Sequence, residues 1–466
     1  MKHIHLIGIG GTGLSAIARI LLQMGYTVSG SDRAASPLSA GLQVEGVNVM
    51  LGHSPENIQG ADLVIRSSAI PDDNPEVQAA RAAGLPVLKR ADFLGQLMEN
   101  HLGIAVAGTH GKTTTTAMIA WMLVSMGQQP SFIVGGVMKN LSTNAQAGKG
   151  LAFVIEADEY DRMFLGLSPR MAVITNIEHD HPDSFPTPQD YMQAFHDFIE
   201  RLPTDGTLLV CADDEGSSSL LKEPHERHFL SLSYGLSAQA DYQALDINAN
   251  TLGGFTFTAY FHEADGSLSH LANLSLQVPG IHNIRNALAA LAVAHLLGLS
   301  TSEAAKALEA YLGAGRRFDV IGTEQGITVI DDYAHHPTEI RTTLAAARAR
   351  YPGQRLWVVW QPHTYSRTQA MLADFASAFS QADRVIVTEI YAAREPELTF
   401  SAAQVVRNMS HPGVVFIPSL PAVSAHLLNQ LKPGDVLLVL SAGDADQVSA
   451  QVLSGLQIRK ETHDQI

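Results

Sequence analysis

Short apolar runs recur along this chain, and nearly every one stops abruptly at glycines or at charged residues before a helical stretch begins. The first, His3 to Ile7 in sequence, reads as a strand that breaks into Gly8, Ile9, Gly10, Gly11, Thr12 and Gly13 and then enters a helix through Leu22. A second strand near residues 26–29 ends close to Asp32, and further strands are read at Leu63, Val64, Ile65 and at Pro86, Val87, Leu88. The run Ile104, Ala105, Val106, Ala107 leads into Gly108, Thr109, His110, Gly111, Lys112, Thr113 and Thr114, and apolar strands follow at residues 151–155 and 171–175. Residues 240–276 alternate between apolar and polar around the turn Asp265, Gly266, which predicts an antiparallel patch added to the same sheet. That patch ends where Gly280, Ile281, His282, Asn283, Ile284, Arg285 and Asn286 start an alanine-rich helix. After Gly313, Ala314, Gly315, Arg316, Arg317 and Phe318, strands at 328–330, 356–360, 385–388 and 436–440 return with helices between them.

Strand and helix alternating in this way predict an α/β protein. At about 100–200 residues per core, 466 residues suggest two to four domains, and the composition breaks favour three. We expect an N-terminal Rossmann-like domain over 1–99, a central P-loop ATPase-type domain over 100–314 and a C-terminal Rossmann-like domain over 315–466. A hydrophobic fraction of 46% with 16% charged residues fits large packed cores. The formal charge of −16 argues against nucleic acid as a partner, so an anionic substrate has to be caught locally by basic groups and glycine turns. Cys211 is the sole cysteine, which excludes an intrachain disulfide and fits a reducing, cytoplasmic setting. The longest apolar helical run, residues 287–299, carries His295 and falls short of a membrane span, so no membrane insertion is expected.

The turn at Gly108 carries the most chemistry. Glycines let backbone N–H groups turn inward around phosphate oxygens, the new helix presents its positive end, Lys112 adds a point charge and the Thr113 hydroxyl can ligate Mg²⁺. A lysine followed by four threonines is poor helix chemistry without such a ligand. Val106 stands where the common form of this turn has its first glycine, so a shorter turn is expected. Charged residues end the two neighbouring strands, Glu156, Ala157, Asp158, Glu159 after one and Asn176, Ile177, Glu178, His179, Asp180, His181 after the other, and both groups should face the turn. Glu156 and Thr113 are the candidate Mg²⁺ ligands. The run His179, Asp180, His181 invites a zinc reading, but no second cluster completes a tetrahedron with obvious spacing, so His181 alone is read as lying near a second metal. Arg316 and Arg317 match phosphate geometry, with one of them expected to be structural. His335, His336, His363 and Arg367 lie at separate strand ends of the third segment, where they could bind a small carboxylate or move a proton. The first glycine turn, with Asp32 about twenty residues on, has the form of a dinucleotide site, but any pyrophosphate satisfies the same physics, including that of a UDP-linked ligand.

Taken jointly, the Gly108 turn, the Glu156 run, Gly280 with His282, Asn283 and Asn286, the residues from Gly315 to Asp319 in sequence, and the run Asp331, Asp332, Tyr333, Ala334, His335, His336, Pro337 resemble the Mur ligases of peptidoglycan synthesis. The glycine turn at Gly10, Ser67 with Ser68, Gln361 with His363, and the late Ser441, Ala442, Gly443, Asp444 are similar to the alanine-adding branch of that family. The resemblance implies small-molecule substrates, UDP-N-acetylmuramate and L-alanine, with ATP and Mg²⁺, a monomer or homodimer, and a carboxylate activated as an acyl phosphate. It implies that Gly10, Gly11, Thr12, Gly13, Asp32, Ser67 and Ser68 take the UDP substrate, and that Gly108, Thr109, His110, Gly111, Lys112, Thr113, Thr114, Asn283, Asn286 and Asp332 take ATP. Lys112, Glu156, His181 and Arg317 would be catalytic, with Thr113, Glu156 and His181 at metal, and His336, His363 and Arg367 at the amino-acid end. Some relatives carry a carbamylated lysine soon after the position of His181; no lysine lies between Lys149 and Lys222 here, so that modification is expected to be absent. Ala334 stands where a glycine is common in the family motif. A ligase that attaches a preformed tripeptide to the same sugar, and a dinucleotide-binding ATPase or oxidoreductase, are the rival readings.

Overall fold

The computed structural model describes residues 2–222, 228–393 and 395–464, and folds them around three separate β-sheets. The first sheet has five parallel strands, Asn48–Leu51, Thr27–Asp32, His3–Ile7, Leu63–Arg66 and Val87–Lys89, in that spatial order. Its order reverses at His3–Ile7, so the glycine turn and the helix Thr12–Gln23 sit at the switch point, where open α/β sheets leave a crevice for ligand.

The second sheet is ten strands wide. At its centre Leu102–Ala107 pairs in parallel with Met171–Ile174 on one side and with Ala152–Glu156 on the other, so the loops after all three strands open on the same end. The antiparallel patch, Tyr242–Ala249, Phe255–His262 and Leu268–Ser275, joins one edge, and Ser131–Met138 with Thr143–Gln146 closes the other. Ser131–Met138 was invisible to the apolar pattern because Gly135 and Gly136 interrupt it. Those glycines are there for a steric reason: a Cβ on Gly135 would overlap the Glu156 carboxylate. Helices Lys112–Ser125 and Ile281–Leu296 pack together on one face, and the small alanines of the latter let the backbones approach closely, with residues 286–294 all buried. Among the described residues no helix is long and apolar enough to cross a membrane.

The third sheet runs Asp319–Glu324, Ile327–Asp332, Val436–Leu440, Leu356–Trp360, Arg384–Val387 and Val414–Phe416, parallel except for its first pair. Val436–Leu440 and Leu356–Trp360 are fully buried on both faces, which explains why they read as unbroken apolar runs rather than alternating ones. Their carboxyl ends carry Ser441 and Gln361, whose side chains bond each other at 2.7 Å.

Candidate active site

The phosphate-type turn forms as the sequence requires, with its first glycine two residues later than in the common pattern. Val106 is buried strand, and the left-handed backbone begins at Gly108 (φ +132°) and recurs at Gly111 (φ +81°), which opens helix Lys112–Ser125. No other residue fits at Gly108, because a Cβ would overlap Thr175 Oγ1. Lys112 Nζ donates to the Thr109 carbonyl at 3.0 Å and pairs with Glu159 at 2.9 Å. Burial works against the ammonium, but Glu159, Asp158 and Glu156 more than compensate and raise its pKa, so it is charged at any physiological pH. Glu159 is itself buried, which raises its carboxyl; the Tyr191 hydroxyl supports it with a donated bond at 3.2 Å.

Beside this cradle the Thr113 hydroxyl donates to Glu156 Oε1 at 3.0 Å, and the Gly135 N–H donates to the other Glu156 oxygen at 2.7 Å. A hydroxyl and a carboxylate at the mouth of a phosphate turn are hard oxygen donors, the type Mg²⁺ prefers. His181 reaches the same region. Residues 175–187 are loop, and His181 has φ +54°. His179 turns away to the Phe185 carbonyl at 2.8 Å, and His181 Nε2 comes within 3.7 Å of Glu159.

The third segment supplies the opposite wall. Arg317 Nη2 reaches Thr113 Oγ1 at 3.2 Å and lies over the Tyr333 ring, whereas Arg316 bonds the Ser441 carbonyl at 2.6 Å. Arg316 also lies over the Tyr333 ring, at 5.2 Å, and both arginines line the large cavity. Asp332 accepts the N–H groups of Phe318 and Ala334 at 2.7 and 2.8 Å, and burial pushes its carboxyl up to about 6 against the pull of Arg317. Ala334 has no left-handed backbone, so this motif folds without the glycine common at that position. Arg367 is buried, with Nε on Asp180 at 2.9 Å and Nη1 on His363 at 3.1 Å.

Two cavities meet at the turn. One of about 300 Å³ is lined by Gly111, Thr114, Asn283, Asn286, Arg317 and Asp332, and the Asn286 amide donates to Asn283 Oδ1 at 3.0 Å. The other, about 610 Å³, takes its walls from all three sheets: Thr12 and Gly13, then Lys112, Glu156 and His181, then Arg317, His363 and Arg367. In the first segment Asp32 accepts the Gly10 N–H at 2.8 Å, so that carboxylate braces its own glycine turn. Ser67 lies against Gly8, and Ser68 lines a separate cleft of about 450 Å³.

Family models for the Mur ligase family catalytic domain, the Mur ligase middle domain and the Mur ligase glutamate ligase domain match residues 3–102, 106–294 and 316–443. The chain belongs to the Mur ligase family. It is 44% identical, over 97% of both chains, to the UDP-N-acetylmuramate–L-alanine ligase of Acidithiobacillus ferrooxidans (strain ATCC 53993 / BNL-5-31), and 43% identical to the enzyme of that name from Roseiflexus sp. (strain RS-1), over 98% of this chain and 99% of the relative. Its fold matches the crystal structure of UDP-N-acetylmuramate-alanine ligase MurC from Thermotoga maritima with a TM-score of 0.83 at 30% identity, covering 98% of this chain and all of that one. A murein peptide ligase from Psychrobacter arcticus 273-4 is similar with a TM-score of 0.73 at 29% identity, over 98% and 99% of the two chains.

For this Mur ligase the placement of His336 corrects the expectation. Its ring caps helix Pro337–Arg350, with Nδ1 accepting from the Thr338 N–H at 3.3 Å, and lies against His110 rather than in the large cavity. Among the described residues His335 takes the wall position beside His363. Burial holds His335 neutral, its pKa lowered to about 4 with Arg367 adding to the effect, and its Nδ1 lies 2.9 Å from the Tyr333 carbonyl. Sequence reasoning placed Glu159 and Asp180 beside the turn without giving either a role, and it passed over Arg90. Arg90 lies directly over Gly13, in space a Cβ would fill, with its guanidinium on Asp158 and the Met163 thioether.

Proposed function

We propose that this Mur ligase joins L-alanine to the carboxylate of UDP-N-acetylmuramate, with ATP cleaved to ADP and phosphate, in peptidoglycan precursor synthesis. The observation that carries the reading is the single cavity walled by the glycine turn of the first sheet, the phosphate turn of the second and the arginine–histidine cluster of the third. Three reactants of different chemistry need three kinds of wall, and this cavity has them. In our reading residues 1–99 hold the UDP sugar through Gly10, Gly11, Thr12, Gly13, Asp32, Ser67 and Ser68. Residues 100–314 hold ATP through the turn from Gly108 to Thr114 in sequence and through Asn283 and Asn286, with Asp332 reaching in from residues 315–466. His335, His363 and Arg367 would receive the amino acid.

A carboxylate acylates nothing until one of its oxygens becomes a good leaving group. The γ-phosphoryl group passes from ATP to a carboxylate oxygen, and ADP leaves. The alanine amine then attacks the acyl carbon, and the tetrahedral intermediate collapses to amide and inorganic phosphate. Lys112, beside Glu159 at 2.9 Å, and Arg317, which reaches Thr113 at 3.2 Å, spread the charge that develops on the moving group. Mg²⁺, held by Thr113 and Glu156 with His181 close by, would neutralise phosphate charge when bound. Closing the third segment over the other two excludes water, which would otherwise hydrolyse the acyl phosphate.

The test is an ADP-release assay with UDP-N-acetylmuramate and a panel of amines. L-alanine alone should support turnover; turnover with a preformed tripeptide and not with L-alanine would replace this reading by the tripeptide ligase. Tight NAD(H) binding without competition from UDP-N-acetylmuramate would replace it by a dinucleotide enzyme.

A further inference from the structure

One side chain of the phosphate turn reaches across to the third segment. His110 Nε2 lies 3.0 Å from Glu178 Oε2, and its Nδ1 lies 3.2 Å from Glu339 Oε1. A neutral imidazole has a single N–H, so a carboxylate acceptor at each ring nitrogen is met fully by the imidazolium alone. Burial opposes that charge, yet the two carboxylates outweigh it and push the His110 pKa up to about 9. The same carboxylates are tied to the first turn of Pro337–Arg350: Glu178 Oε1 accepts from the Thr338 hydroxyl at 2.8 Å, and Glu339 Oε2 accepts the N–H groups of His335 and His336 at 3.0 and 3.1 Å. The His336 ring packs 4.8 Å from that of His110, and Arg317 adds positive field at Glu339. Ligand atoms of His110, Glu178 and His336 lie within 4.8 Å of one another, close enough to share a metal. Both His110 nitrogens are already engaged, however, and a charged ring repels a cation.

We propose that His110 is a positioning residue whose charged ring seats the first turn of Pro337–Arg350 on the loop that takes the triphosphate, so that the amine-binding wall docks in register with the phosphoryl site. The inference rests on the ligase reading above and adds a role that phosphate binding does not require. A helix that begins with a capping box and a buried carboxylate has little freedom once that carboxylate is paired, so one ion pair fixes the position of His335 as well.

The experiment uses the full chain with His110→Ala, His110→Gln, Glu339→Gln and the double variant His110→Ala/Glu339→Gln. Each of His110→Ala and Glu339→Gln should lower kcat/KM for L-alanine by about tenfold or more, while KM for UDP-N-acetylmuramate moves less than about twofold. The double variant should be no worse than the poorer single one, and His110→Gln should recover part of the loss because its amide still donates. Losses that multiply in the double variant, or a rise confined to KM for ATP, would overturn the proposal. If His110→Ala does not fold, Glu339→Gln and Thr338→Val read the same contact, and normal alanine kinetics in both would overturn it. Should the wild-type chain ligate nothing, the ligase reading fails by itself; docking is then read from small-angle scattering, where His110→Ala must be more extended than wild type.

Discussion

Replacing Lys112 with methionine tests two roles of one side chain, because the ammonium that would meet phosphate is already the counter-charge of a buried carboxylate. Glu159 is 1% exposed and sits 2.9 Å from Lys112 Nζ. Removing one partner of a buried pair typically costs about 3–5 kcal/mol. The lower end applies here, about 3 kcal/mol, because the Tyr191 hydroxyl and His181 stay beside Glu159. At ~2–4 °C per kcal/mol for a unit of this size, the melting temperature should fall by roughly 6–12 °C. ADP release should fall by a factor of about 10² to 10³ or more, as expected when a preorganised charge at a reacting phosphate is lost. The double variant Lys112→Met/Glu159→Gln should regain most of the stability and none of the activity, since the orphaned charge is gone but the phosphate cation is not restored. The pH dependence has a definite sign. Glu159's carboxyl is already raised by burial and rises further without its partner. A group whose folded pKa is raised favours the folded state at low pH, so the deficit of Lys112→Met should shrink as pH falls through that pKa. Melting curves by circular dichroism from pH 4.5 to 8, with a coupled ADP assay, provide both readouts. A deficit that is independent of pH, or a double variant as unstable as the single one, would refute the reasoning.

Asp180→Asn should destabilise the chain by about 3–5 kcal/mol, because it breaks the buried pair with Arg367 that joins the central and third segments. Arg367 holds the Asp180 carboxyl well below its usual range against burial, so the wild-type advantage is present above about pH 4 and fades as pH falls further; acid melts of the two proteins should converge. Glu156→Gln should raise the Mg²⁺ concentration needed for half-maximal ADP release by about tenfold or stop turnover, and an unchanged metal titration would remove Glu156 from the metal site. Cys211 is buried, and burial pushes its thiol up to about 11, so a thiol reagent should label it in denaturant and hardly at all in the native protein at pH 8.

The fold was legible because its central strands are buried on both faces. Leu356–Trp360 and Val436–Leu440 carry nothing but apolar side chains and end in polar ones, and both features follow from a parallel sheet with helices on either side. Two edge strands gave no such signal. Asn48–Leu51 and Val414–Phe416 are three or four residues long and half exposed, so neither length nor alternation marks them. Ser131–Met138 was hidden by glycines whose purpose is to admit the Glu156 carboxylate, a long-range demand that local pattern does not express.

Site residues divide along the same line. Lys112, Thr113 and Glu156 could be named because each stands at a fixed offset from a strand end or a glycine turn, and geometry within one sheet brings them together. Glu159 and Asp180 could be placed near the turn but given no role, since a carboxylate in a charged loop looks solvated until the cation that buries it is known. That cation comes from 47 residues away for Glu159 and from 187 away for Asp180. The two adjacent histidines show the limit most clearly. Whether His335 or His336 faces the cavity depends on where helix Pro337–Arg350 starts, and the start is set by His336 accepting the Thr338 N–H while Glu339 accepts that of His336. The cap consumes His336, and a shift of the helix start by one residue would exchange their roles. A sequence can state that one of two neighbouring histidines lines the cavity, but the choice belongs to the capping geometry.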